Sequence, residues 1–195
     1  MTSTSEFKPD IRVDLEFTPN PNTLKYVTSV TLLESGAYNF KDKEAAAGKS
    51  LLAEELFKLD GIGAIMVGKT FVTVTLTDQD SLTALNDAII ETIKTFLMKG
   101  IPAVDVASMV VAPRATPAQG GEIVALIEKI LDEEIRPAVA MDGGDITFER
   151  FEDGVVFLHM KGACAGCPSS TATLKMGIEN RLKDAIPEVQ EVVAV

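Results

Sequence analysis

The chain has 195 residues and a mass of 20.9 kDa, which is long enough for one mid-sized domain or two small ones. Hydrophobic residues make up 46% and charged residues 24%, so the composition is globular and excludes wholesale disorder. The net charge of −11 counts against nucleic acid and anionic membrane surfaces as partners, because both require a basic surface. With only 2 cysteines, Cys164 and Cys167, the chain is not a disulfide-rich secreted scaffold and cannot fill a four-cysteine metal site alone.

Residues 1–100 predict a small α+β domain with an antiparallel sheet. The segment Thr18–Asn22 must turn, because it holds two prolines and two asparagines. No chemistry follows from this turn, which we interpret as a partner-recognition feature or as plain architecture. The other predicted elements, in chain order, are a strand over 11–17, an extended stretch over 24–33, a helix over 50–59, a hairpin of 65–67 with 71–76, and a helix over 81–98.

Residues 101–121 separate this domain from a second one. Prolines and glycines deny regular structure to much of the segment, although the apolar stretch Val104–Val111 predicts a further strand. Because each side of the break has its own alternation of patterns, we expect two domains, 1–100 and 122–195, with 101–121 as a linker.

The second domain predicts the order α-β-β-(CxxC)-α-β, and the whole chain is expected to be α+β with two small α/β-sandwich-like domains. The first helix of this domain is expected to end before Pro137. The predicted elements are a helix over 122–135, a turn at 142–144, strands over 146–151 and 155–160, a helix over 170–185 and a strand over 189–195.

The two cysteines lie where a predicted strand ends and a helix begins, in the sequence GACAGCPSS over 162–170. Two residues between the thiols let both sulfurs face one centre, and Gly162 and Gly166 allow a ligand close to the main chain. The amides and the positive dipole end of the following helix are expected to stabilise thiolates and a negatively charged cluster.

Four interpretations of the cysteine pair stay open on the residues alone. The cysteines could be inert, could form the redox pair of a thiol–disulfide oxidoreductase, or could bind structural zinc with two more ligands. Two chains could also share one site, which supplies four thiolates for an iron–sulfur cluster or for a zinc ion. His159 is predicted on the sheet surface rather than as a ligand, since it lies on a strand five residues before Cys164.

Several longer stretches resemble a known family, the NifU family in its Nfu type. In the second domain the resemblance lies in Arg136-Pro137, Asp142-Gly143-Gly144-Asp145, Gly162, Cys164, Cys167-Pro168-Ser169-Ser170, Leu174-Lys175, Gly177-Ile178-Glu179 and Ile186-Pro187-Glu188-Val189. In the first domain it lies in the stretch from Thr18 to Tyr26 and in Phe71–Thr75, which resemble the N-terminal domain of Nfu proteins. Together these stretches cover nearly the whole chain.

The resemblance implies an iron–sulfur cluster scaffold or carrier, and therefore binding and transfer rather than enzymatic turnover. It implies that Cys164 and Cys167 of two subunits ligate one [4Fe–4S] cluster, which holds a homodimer together; a [2Fe–2S] form stays open. The expected partners are an upstream cluster scaffold and apo iron–sulfur client proteins. Small residues around the thiols are expected to leave the cluster near the surface, where ligand exchange can transfer it.

The N-terminal residues show neither an apolar core nor an Arg-rich amphipathic pattern, and no apolar stretch is long enough to span a bilayer. Because the organellar leader of mitochondrial members of this family is not seen, the sequence predicts a bacterial, cytoplasmic member.

Overall fold

A computed structural model describes residues 11–78, 81–108, 121–165 and 168–195, except for the side chains of 168–170. Residues 11–108, here called the first half, and residues 121–195, the second half, each contain one sheet, its helices and a separate hydrophobic core. The predicted α+β class with two α/β units is thereby confirmed. The exact domain and linker boundaries stay a prediction.

The first half is an antiparallel sheet with helices on one face. Its elements are β1 (Val13–Phe17), β2 (Thr23–Thr28), β3 (Tyr38–Phe40), α1 (Lys43–Ala46), α2 (Leu51–Leu56), β4 (Ile62–Val67), β5 (Phe71–Leu76) and α3 (Leu82–Leu97). The strand order is β1-β2-β5-β4-β3. Alternate residues of β2, Leu24 and Tyr26, join Ile89, Ile93 and Phe96 of α3 in the core, as strand and helix periodicities require.

Three expectations for the first half need correction. The extended stretch predicted over 24–33 is a strand only to Thr28, and the helix predicted over 50–59 ends at Leu56. Strand β3 and helix α1 were not predicted, because three or four residues are too few for a periodic pattern. No strand forms over 104–108, and 109–111 lie outside the described residues; Val104 instead fills the first core at 3% exposure.

The second half has three strands and a helical layer. Its elements are α4 (Gly121–Ile130), a π turn (Leu131–Ile135), α5 (Arg136–Met141), β6 (Gly144–Glu152), β7 (Val155–Gly162), α6 (Pro168–Ala185) and β8 (Glu191–Ala194). Strand β7 pairs antiparallel with β6 and parallel with β8, because α6 carries the chain back across the sheet. Among the described residues, no helix has the length and apolarity needed to span a membrane.

The first helix of the second half does not end before Pro137, so that prediction is wrong. Pro137 lies in the first turn of α5, where its missing N–H would have no intrahelical partner in any case. The π turn before it is closed by the N–H of Arg136, which donates to the carbonyl of Leu131. The helical path therefore continues past the proline to Met141.

The face of the first sheet that the helices leave free is covered by the second half. The Nζ of Lys25 donates to the carbonyl of Met141 at 2.9 Å, and Lys25 is only 8% exposed. A Cβ on Gly143 would lie 2.7 Å from the methyl carbon of Thr73, which shows how closely the two halves approach. Alternation predicts which face Thr73 occupies, but not that the residue is 1% exposed.

Candidate cluster-binding site

Cys164 lies in the loop between β7 and α6, at the strand–helix junction predicted from the sequence. It carries a free thiol and is 6% exposed. Cys167 lies outside the described residues, so its relation to Cys164 stays a prediction. We call residues 163–165 the cysteine loop.

The cysteine loop is shaped by a glycine and by short hydrogen bonds. Gly162 adopts φ +62°, a conformation that disfavours other residues, and a Cβ there would lie 2.7 Å from the carbonyl oxygen of Gly143. The N–H of Ala163 donates to that same carbonyl at 3.1 Å, and the N–H of Ala165 donates to the carbonyl of Gly162 at 3.0 Å. The hydroxyl of Thr171, in the first turn of α6, donates to the carbonyl of Cys164 at 3.0 Å.

The sulfur of Cys164 packs directly on the main chain of Gly144, where a Cβ would overlap the Sγ atom. Only glycine fits at position 144 while the thiol keeps this position. Burial first, and then the nearby carboxylates of Asp142 and Asp145, raise the pKa of the Cys164 thiol to about 12. For Cys164 the expectation of a stabilised thiolate is therefore wrong in this conformation, because burial disfavours the charged form. The thiol lies among small residues, as expected, and is buried in this conformation.

An ion pair holds the turn on which the thiol rests. The Nε of Arg136 donates to Oδ1 of Asp145 at 2.8 Å, and its second terminal nitrogen donates to Oδ2 at 3.2 Å. Asp145 is 5% exposed, so the guanidinium supplies the partner that a buried carboxylate requires. The pKa of Arg136 is raised by the hydrogen bond to Asp145 and, after that, by a second one to Asp132.

A groove of about 680 Å³ opens beside Cys164, between α5 and α6. Its lining is mostly apolar and includes Val139, Leu174 and Ile178. The residue that the first half contributes is Pro19, from the predicted Thr18–Asn22 turn. The groove therefore joins the cysteine loop to both halves of the chain.

The histidine predicted on the sheet surface is found there. The Nε2 of His159 lies 3.3 Å from a carboxylate oxygen of Glu149, and its Nδ1 lies 3.1 Å from the carbonyl oxygen of Val195. Within the described part of the chain, no group of three His, Cys, Asp or Glu residues could hold a metal ion. Among those residues, then, the structure gives Cys164 no metal-binding partner.

Sequence reasoning missed Asn20, which contacts the cysteine loop from the first half. Its Nδ2 donates to the carbonyl of Ala165 at 2.8 Å, across 145 positions of sequence. Asn20 is 3% exposed, and its Oδ1 accepts the N–H of Asn22 at 3.0 Å. The only signal in the sequence was the unexplained turn itself, with its two prolines and two asparagines.

Both halves of the chain match models of known protein families. The family model described as "NifU-like domain" matches residues 127–193, and "Scaffold protein Nfu/NifU N terminal" matches residues 13–100. The chain is 39% identical over 181 residues to the Homo sapiens protein named "NFU1 iron-sulfur cluster scaffold homolog, mitochondrial", covering 92% of this chain and 70% of that protein. It is 38% identical over 183 residues to "NifU-like protein 4, mitochondrial" of Arabidopsis thaliana, covering 92% of this chain and 64% of that protein.

A solution structure of a NifU-like protein from Saccharomyces cerevisiae also matches, with a TM-score of 0.44 and 24% identity. It covers 49% of this chain and 85% of that chain. This similarity is too low to add to the fold described above.

The predicted bacterial, cytoplasmic location is wrong. The relatives from Homo sapiens, Arabidopsis thaliana and Drosophila persimilis, each matched over more than nine tenths of this chain, are named as mitochondrial proteins. These names contradict the bacterial, cytoplasmic prediction. The prediction failed because it inferred a compartment from the residues at which the sequence begins.

Proposed function

The chain belongs to the Nfu-type NifU family, and on that premise we propose that it carries an iron–sulfur cluster and transfers it to apo-proteins. In this proposal Cys164 and Cys167 of two copies together ligate one [4Fe–4S] cluster. The observation that carries the proposal is the cysteine loop itself, which places a free thiol among small residues at a strand–helix junction. The scaffold name of the human relative supports the same cargo.

The two cysteines of the sequence suit this cargo. Iron–sulfur clusters are held by cysteine thiolates, and a [4Fe–4S] cluster takes four of them. One chain has 2 cysteines, so the ligand count closes when two copies contribute one pair each. Gly144 carries no side chain, and the sulfur of Cys164 occupies the space that one would fill.

Transfer would proceed by exchange of thiolates. In each step a recipient thiol loses its proton and binds iron, one iron–sulfur bond to the carrier breaks, and the leaving cysteine takes up a proton. The exchange conserves electrons and needs no oxidant or reductant. A carrier suited to this step binds its cluster through few ligands per chain, as a pair of cysteines does.

Anaerobic reconstitution of the full chain with iron and sulfide tests the proposal. We expect a product with the absorption and Mössbauer signals of a [4Fe–4S] cluster, at about one cluster per two chains, and a dimer mass in solution. Cys164→Ser and Cys167→Ser should each abolish both the cluster and the cluster-dependent dimer. The control His159→Ala removes the single histidine of the chain, which lies on the sheet surface. This variant should still form the cluster and the dimer.

The same preparation separates the other interpretations of the cysteine pair. A dimer that keeps zinc and takes up no iron would indicate a zinc-bridged structural protein. A monomer that reduces disulfides catalytically and retains no iron would indicate a thiol–disulfide oxidoreductase and would contradict the carrier. The antiparallel hairpin of β6 and β7 that precedes the loop already differs from the strand–helix–strand unit expected before a thioredoxin-like pair.

A further inference from the structure

The thiol of Cys164 is closed off in this structure. Its sulfur packs on Gly144, and the residue is 6% exposed within the second hydrophobic core. Although Cys164 borders the groove between α5 and α6, little of its surface is open to a second molecule, whether a client or another copy. The cysteine loop must therefore rearrange before Cys164 can bind anything that a partner shares.

Four hydrogen bonds described above hold the loop in its closed form. Three of them come from the second half: Ala163 to Gly143, Ala165 to Gly162, and Thr171 to Cys164. Among the described residues, the first half supplies one, from Nδ2 of Asn20 to the carbonyl of Ala165. Breaking this one bond requires only that the two halves separate, whereas the others lie within one core.

The turn that carries Asn20 is built to present its amide nitrogen. The hydroxyl of Thr18 accepts the N–H of Asn20 at 3.2 Å and donates to the carbonyl of Thr23 at 2.8 Å. The Oδ1 of Asn20 accepts the N–H of Asn22, so the oxygen serves the turn while the nitrogen serves the cysteine loop. An aspartate at position 20 would keep the oxygen that accepts the N–H of Asn22 and would lose the nitrogen that donates to the carbonyl of Ala165.

The rest of the interface between the halves combines polar and apolar contacts. Lys25 donates to the carbonyl of Met141, and Met66 packs on Gly162. The hydroxyl oxygen of Thr73 is buried there and has no hydrogen-bond partner among the described residues. A buried polar atom without a partner opposes the docked arrangement, because the hydroxyl regains water when the halves separate.

From these contacts we propose that Asn20 is a positioning residue that holds the cysteine loop closed, so that separation of the two halves controls access to Cys164. Docking of the first half keeps the thiol against Gly144. Separation frees the carbonyl of Ala165 and lets the loop turn the thiol outward. The control of thiol access stands on the contacts alone, and its consequence for cluster binding rests on the proposed function.

The rate of Cys164 modification by Ellman's reagent measures the opening directly. The test uses the full chain with Cys167→Ser, in which Cys164 is the one remaining thiol. Asn20→Asp removes the donor to Ala165 and places a carboxylate beside that carbonyl, so we expect modification at least about tenfold faster. The matched control Asn22→Asp makes the same charge change two residues along the same turn, and should leave the rate within about twofold of the parent.

A second variant should shift the rate in the opposite direction. Thr73→Val keeps the shape of the side chain and removes the unpartnered hydroxyl. The docked form should therefore become more stable, and modification of Cys164 should slow by about fivefold. If Asn20→Asp and Asn22→Asp react equally, or if Thr73→Val reacts faster than the parent, the proposal is overturned.

The urea dependence of the modification rate distinguishes gating from plain destabilisation. Local opening exposes little surface, so the rate in Asn20→Asp should rise only shallowly between 0 and about 1 M urea. A slope as steep as that of global unfolding would show a merely structural role and would refute the positioning role. With both cysteines present, Asn20→Asp should also form the cluster-bridged dimer faster. If Asn20→Asp changes the modification rate but the chain binds no cluster, the control of thiol access still holds. Only the proposed carrier function is then refuted.

Discussion

Two neighbouring residues of β2, Leu24 and Lys25, are both buried, but for different reasons. Leu24 is 1% exposed and points into the core between the first sheet and its helices. Lys25 is 8% exposed and points to the opposite face, where Nζ donates to Met141 and lies 2.8 Å from a carboxylate oxygen of Glu16. One face is closed by the first half's own helices, and the other by the second half.

The Leu24 face is buried whenever the first half is folded, whereas the Lys25 face is buried only while the two halves are in contact. Apolar surface returned to water costs about 25 cal/mol per Å², so the Leu24 face stays closed as long as the first half is folded. The Lys25 face includes the Lys25 amine and the unpartnered hydroxyl of Thr73, which water can satisfy when the halves separate, beside the buried apolar side chain of Met66. Substitutions on the first face should therefore unfold the first half, whereas those on the second should loosen the contact between halves.

The largest expected effect is on the apolar face, from Leu24→Ala. Truncating this buried leucine should lower the free energy of unfolding of the first half by about 2–5 kcal/mol, because it leaves a cavity in a packed core. Urea denaturation followed by circular dichroism measures the loss. The matched control Leu51→Ala truncates a leucine that is 52% exposed, and should stay within about 0.5 kcal/mol of the parent. Equal losses in the two variants would erase the distinction between the faces.

The second effect concerns the turn beneath the thiol, on the side of the second half. Gly144→Ala forces its new methyl group against the sulfur of Cys164, and overpacking of this kind costs about 1–3 kcal/mol. Thermal unfolding would show the loss, together with faster modification of the displaced thiol. Gly177→Ala is the control: a Cβ there meets nothing within 4 Å, and alanine should stabilise α6 by about 0.5–1 kcal/mol. A Gly144→Ala protein as stable as its parent would show that the sulfur moves freely.

Local patterns predicted the parts of the fold that local physics decides. The hairpin predicted over 65–67 and 71–76 is formed by β4 and β5, and Cys164 lies between a strand and a helix as expected. Contacts between distant residues could not be predicted in this way. Lys25 and Met141 are 116 positions apart, and the link from Asn20 to the cysteine loop spans 145.

The errors have equally specific causes. A short apolar stretch that includes Val104 has the composition of a strand, but here it fills the edge of a core. Pro137 was expected to stop a helix, and a π turn instead turned its position into the start of the next helical segment. The pKa of Cys164 was expected to follow the helix dipole, and burial on Gly144 reversed its direction.

The third effect tests the polar face through Lys25→Met, which keeps the apolar stem and removes the charged donor. Losing the hydrogen bond to Met141 should weaken the contact between the halves by about 1–2 kcal/mol, whereas the pair with Glu16 that is lost with it lies within the first half. The loss should appear as faster hydrogen exchange at the interface, with the exchange of the first core unchanged. Lys58→Met is the control, because its side chain is 61% exposed in a surface pair whose loss changes little. Faster exchange throughout the first core would mean that the two faces are not independent.

The smallest expected effect is a dependence on acid within the second half, through the pair of Glu134 and Arg181. Hydrogen bonds from Arg181 at 2.7 and 2.8 Å lower the pKa of the Glu134 carboxyl from its ordinary value of 4.5. Since the folded state holds this proton less tightly than the unfolded state, the pair stabilises the fold above pH 4.5 and the contribution is lost as the pH falls through the lowered value. Glu134→Gln should therefore differ from the parent in unfolding free energy near neutral pH, and the difference should shrink in acid. The control Glu133→Gln removes the same charge one residue earlier and should lose stability in acid as the parent does. If the difference in unfolding free energy between Glu134→Gln and the parent stayed constant from pH 7 to pH 3, the pair would not be the source of the acid dependence.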